Sequence, residues 1–151
     1  MILQYLLPSL FIIFSIPICI YDIRTMHIPL WLLVVGGCVM PAFAAGMAFV
    51  TGQYQSLIIS ACGAILLFSL FFIARLVSHQ KMGWGDVIYA SLCGFVSGVP
   101  GCCYAAVISC VLGGLAFGVR FLIRKNKNPS KNALPFTPFM FFGSLFVVFL
   151  L

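Results

Sequence analysis

The sequence is nearly without acids. Its 151 residues hold two, Asp22 and Asp86. Charge of either sign is scarce: charged residues make up 7% of the chain against 64% hydrophobic, and the mean hydropathy is +1.22. A soluble domain of this length needs more polar surface than that to cover itself, so one is excluded. No polar stretch exceeds roughly a dozen residues, too few to build a separate core. Residues 1–151 therefore read as one membrane-embedded domain. The seven cysteines (Cys19, Cys38, Cys62, Cys93, Cys102, Cys103 and Cys110) include no CxxC pair. They lie in apolar runs, where a thiol acts as a small hydrophobe. A zinc site needs spaced ligand pairs, so neither a metal nor another cofactor is expected. The N-terminus lacks a basic segment and has no small-residue cleavage site before Cys19. Residues 2–21 thus read as a retained helix and not as a signal peptide.

What is present is a series of apolar runs near membrane-spanning length. Barrel strands would be shorter and alternating, so the expected class is an all-α integral membrane protein with six transmembrane helices. The expected spans are 2–21, with Pro8 and Pro17 as kinks, then 29–50, 56–77, a short helix from the Gly83–Asp86 stretch to Val99, 102–123, and 133–151. All eight Lys and Arg fall in or beside the first, third and fifth connections: Arg24; Arg75 and Lys81; Arg120, Arg124, Lys125, Lys127 and Lys131. The positive-inside rule makes those connections cytoplasmic and sets both termini on the other side. The net charge of +6 is not laid along a groove, so anionic lipid headgroups are its expected counter-charge and nucleic acid is not.

Carboxylates are costly in such a chain and call for a partner or a task. The topology puts Asp22 and Asp86 on one side. Counting by fours from Asp86 gives Ala90, Gly94 and Gly98, a small-residue face made for close helix approach, with Ile88, Leu92, Phe95 and Val99 on other faces. Gly114 and Gly118 offer a matching surface. Two neighbouring carboxyls share a proton, so one can act as base toward water and the other as acid toward a carbonyl. Gly83 and Gly85 would let a substrate backbone approach. Plainer readings compete: Asp86 as a helix N-cap, and Asp22 as a surface partner of Arg24 or His27. His27 and His79 read as solvated interface residues. A different class of function, a small proton-coupled transporter or channel subunit, would use Asp86 as a proton carrier. A third reading, a non-catalytic assembly partner for pilins, needs neither acid.

At these residues the chain resembles the type IV prepilin peptidases, which are GxGD aspartic membrane proteases. Asp22, Arg24, Ile28 and Pro29 are similar to the family's first motif, and Gly83, Gly85 and Asp86 to its second. Pro135, Phe136 and Pro138 are similar to the Pro-Phe-x-Pro opening its last helix. Leu30 and Ile88 depart from the family's usual Asn and Lys. The resemblance implies an aspartic endopeptidase with Asp22 and Asp86 catalytic. It implies cleavage of prepilin-like leaders at the cytoplasmic face of a prokaryotic inner membrane, after a Gly that precedes the substrate's hydrophobic helix. Larger members carry a tetracysteine zinc region and methylate the new N-terminus. The expectation here is a compact peptidase without methyltransferase, like those serving Flp/Tad-type pili or archaeal filaments. The 78–84 segment is the expected lid over the site.

Overall fold

The computed structural model describes residues 2–25, 28–78, 82–123 and 136–150. They form six α-helices: α1 (Ile2–Thr25), α2 (Leu30–Thr51), α3 (Tyr54–Val77), α4 (Trp84–Ser97), α5 (Gly101–Ile123) and α6 (Thr137–Leu150). Among the described residues, three stretches are long and apolar enough to cross a membrane: Leu6–Thr25, Leu30–Thr51 and Tyr54–Val77. Gly101–Ala116 and Thr137–Leu150 are shorter apolar helices. Phe49, Val50, Ile65, Val107 and Phe149 point outward and are largely exposed, as side chains that meet hydrocarbon should.

α1 outruns its expected end at Tyr21. It runs through Pro8 and Pro17 and includes Asp22 and Arg24. Nothing from Asp22 to Thr25 forbids a helix, and the Thr25 hydroxyl donates to the Tyr21 carbonyl at 2.8 Å. Ile28 is not helical, as the ring of the following Pro29 requires. Pro29 then caps α2 in extended conformation (φ −67°, ψ 110°). The α4 helix ends at Ser97, and Gly98 follows with φ 59°, a left-handed value that suits glycine. The start of the sixth helix at residue 133 lies outside the described residues, as do His27, His79, Lys81 and Pro135.

The organising element is α4, which touches all five other helices. Of its 14 residues, Val87, Tyr89, Ala90, Leu92, Cys93, Gly94 and Phe95 are buried. Leu92 and Phe95, on faces other than the small-residue one, are thus packed as well. A helix ringed by five others has no lipid stripe. Its length, about 21 Å at 1.5 Å per residue, is well under the span of a bilayer. Protein on every side makes that tolerable.

Gly94 is the closest point of approach, and its partner is on α3. A Cβ on Gly94 would lie 2.3 Å from the Gly63 carbonyl oxygen, and one on Gly63 would lie 2.3 Å from the Gly94 oxygen. The two backbones thus touch, as small-residue crossings in membranes allow. Gly114 and Gly118, expected to supply the matching surface, have open space where a Cβ would be. Spacing marks a glycine pair but does not say which helix receives it.

Candidate active site

The bundle alternates direction, so the end of α1, the start of α2, the end of α3 and the starts of α4 and α6 gather at one end. Contacts tie them together there. Ile28, before α2, lies on Gly85 of α4. Arg75, near the end of α3, donates from Nη1 to the Met82 carbonyl, and its guanidinium sits 4.5 Å from the centre of the Trp84 ring. Trp84 also meets Phe72, with ring centroids 6.0 Å apart. Phe136, just before α6, packs on Phe71 at 6.0 Å and fills the space over Gly113 of α5.

Both acids stand in this cluster. Asp22, in the last turn of α1, is 5% exposed, and its buried Oδ2 accepts no hydrogen bond. Asp86, in the first turn of α4, is half-buried. Its carboxyl feels the charge of Asp22, accepts from the backbone N–H of Gly83, and faces the Thr137 hydroxyl of α6. That hydroxyl is fully buried and has no hydrogen bond of good geometry.

The plainer readings of the acids take another form here. The N-cap of α4 is Gly83, not Asp86. Asp86 stands three residues on, where a carboxylate reaches back to the cap's own N–H and meets the positive end of the helix dipole. Asp22 is buried while Arg24 is exposed, as expected for residues two apart on a helix, which do not share a face. A surface pair of the two is not formed.

The two glycines serve different ends. A Cβ on Gly85 would stand 2.8 Å from the Ile28 Cβ, so the protein's own connector occupies that space and a substrate backbone does not. Gly83 is exposed, and a Cβ there would lie 3.4 Å from Asp86 Oδ2. It remains beside the carboxyl at the open edge. Pro29 acts one residue from this contact by holding Ile28 extended. Of the expected lid, Met82 and Trp84 are fastened to α3 through Arg75; residues 79–81 lie outside the described residues.

Sequence reasoning missed Ile28 as the residue over Gly85, Arg75 as a brace, Thr137 and Tyr89. Tyr89 is wholly buried one turn below Asp86, where its hydroxyl meets Ser15 and Cys19 of α1. Its helical spacing from Asp86 was the available signal. No group of three or more His, Cys, Asp or Glu suited to a metal occurs among the described residues.

Two buried or half-buried carboxyls, a serviceable open edge at Gly83 and a hydroxyl on the far side suit acid–base work on a polar bond. The profile of the type IV leader peptidase family matches residues 9–118, which include both aspartates and both glycines. No curated protein and no solved structure matches the chain. With well over half of its length in that match, the chain belongs to the type IV leader peptidase family.

Proposed function

We propose that the protein is an aspartic endopeptidase that removes the leader of type IV prepilin-like proteins, with Asp22 and Asp86 as its acid–base pair. The observation that carries this reading is that the only two acids in the chain, far apart in sequence, lie within reach of each other's charge at one end of α1 and α4. Two such carboxyls hold one proton between them. The ionised one takes a proton from water as the oxygen bonds to the scissile carbonyl carbon. The protonated one gives its proton to the carbonyl oxygen. The tetrahedral diol then collapses: the C–N bond breaks, the departing amine takes the proton that the first carboxyl gained from water, and the carbonyl re-forms as one diol hydroxyl returns its proton to the second carboxyl. Neither a metal nor a covalent intermediate is needed.

The substrate's hydrophobic helix diffuses in the membrane and brings the residues before it to the aspartates. The cut falls after a Gly preceding that helix. By the positive-inside rule the basic connections face the cytoplasm, with anionic lipid headgroups as counter-charge. The site is then read at the cytoplasmic face, and the resemblance to prepilin peptidases supports a prokaryotic inner membrane.

The test is cleavage of a prepilin with a Gly-ended leader, in membranes, by wild type, Asp22→Asn and Asp86→Asn at matched expression. Wild type cuts and each variant loses at least about a thousandfold in kcat, as for groups that act as a unit. If both variants cut like wild type, the acid pair has no part in the reaction.

A further inference from the structure

Below the aspartates, the interfaces of α1, α4 and α6 carry a column of buried polar groups at heptad spacing. On α1 they are Asp22, Cys19 and Ser15; on α4, Asp86, Tyr89 and Cys93; on α6, Thr137 and Ser144. All but Asp86 are buried. Because α1 runs opposite to α4 and α6, the groups fall into levels: Asp22, Asp86 and Thr137 at the top, Cys19 and Tyr89 about 4.5 Å deeper, and Ser15, Cys93 and Ser144 about 10.5 Å below the top, at 1.5 Å per residue. Contacts follow these levels. Asp86 feels Asp22 and meets Thr137, Cys19 meets Tyr89 and feels Asp22, and Cys93 meets Ser144 and Tyr89.

Tyr89 is the central member. Its ring stacks on Phe11 of α1 with centroids 6.4 Å apart, and its hydroxyl lies against Ser15 and Cys19 without a hydrogen bond of good geometry. A phenol brought wholly into an apolar bundle without full pairing lowers stability. Phenylalanine would fill the same space at no such penalty. The hydroxyl is therefore not there for stability, and what it touches is the turn of α1 that leads into Asp22.

We propose that Tyr89 is a positioning residue: its hydroxyl, set against Ser15 and Cys19, holds the rotation of α1 on α4 that turns Asp22 toward Asp86. This rests on the acid-pair reading above. The polar contacts act as a register mark, the best-attested use of buried polar groups between helices.

Tyr89→Phe keeps the ring and removes only the oxygen. A purely structural tyrosine predicts wild-type kcat and equal or higher thermal stability. The positioning role predicts kcat lowered roughly ten- to a hundredfold with KM unchanged and stability not lowered, the loss expected when a reacting group is slightly misplaced. Ser15→Ala with Cys19→Ala lowers kcat to a similar degree, and adding Tyr89→Phe lowers it no further, since all three remove one interaction. Wild-type kcat in Tyr89→Phe overturns the proposal, as does full additivity with the α1 pair. If Tyr89→Phe inserts poorly or melts early, the α1 double variant decides by the same reading of kcat. Asp22→Asn is assayed beside them. Its inactivity with a fully active Tyr89→Phe removes this proposal alone, and its full activity removes the acid pair as well.

Discussion

Ile28 stands where a side chain on Gly85 would be. The distance from that position to the Ile28 Cβ is 2.8 Å, closer than two such carbons come without displacement. The residue before a proline is extended and stiff, so Ile28 has little freedom to retreat. Adding a methyl to Gly85 pushes the α1–α2 connector off the start of α4 and separates the helices that carry the two acids. Gly85→Ala is expected to lower leader cleavage at least tenfold while the protein still inserts. Ile28→Gly in the same chain removes the opposing carbon and restores most of the activity. Failure of that rescue would show that Gly85 is needed for something other than Ile28.

Thr137 reaches Asp86 from α6 with a buried hydroxyl that lacks a good hydrogen bond. Thr137→Val keeps its shape and removes the oxygen, so the fold loses little. Several-fold lower kcat is expected, with Thr137→Ser close to wild type and melting temperatures alike. Equal activity in the valine variant would leave the hydroxyl without a role at Asp86.

Arg75 braces the entry to α4 by its bond to the Met82 carbonyl and its place over Trp84. Lysine reproduces neither the planar fork nor the stacking. The chain has two tryptophans, Trp31 and Trp84, so a Trp31→Phe background isolates the second. In that background Arg75→Ala and Arg75→Lys should both make Trp84 fluorescence more open to an aqueous quencher, the alanine more so. Unchanged quenching would mean that the brace does not hold Trp84.

Gly94 and Gly114 make a matched pair for stability. A Cβ at Gly94 would meet the Gly63 carbonyl at 2.3 Å, while at Gly114 it would meet nothing within 4 Å. Gly94→Ala must part the α3 and α4 backbones and is expected to cost about 1–3 kcal/mol or more, as overpacking does. Gly114→Ala is expected to be neutral or mildly stabilising, because alanine suits a helix better. Thermal unfolding in one detergent compares them, and equal melting points would contradict the close crossing.

Composition by itself determined the helical class and the apolar spans, since a chain with so few polar residues can satisfy its backbone in lipid chiefly by helices. It also singled out Asp22 and Asp86, because in a chain with two acids the candidates need no further search. Spacing marked Gly94 and Gly98 as a close-approach pair. Tertiary structure alone decided the rest. Whether Gly94 meets Gly63 or Gly114 depends on which helices lie side by side, and periodicity along one helix carries no information about its neighbour. The placement of α4 at the centre came from the same source, and it buries Leu92 and Phe95 on faces that the small-residue spacing does not mark. Gly85 looked open to a substrate and is filled by Ile28, which reaches it across the bundle. Tyr89 and Thr137 looked like ordinary members of apolar helices, and only the packing of α1, α4 and α6 sets them against Cys19 and Asp86. Local sequence determines where a helix begins, ends and presents small residues; the pairing of side chains from separate helices is a property of the assembled bundle.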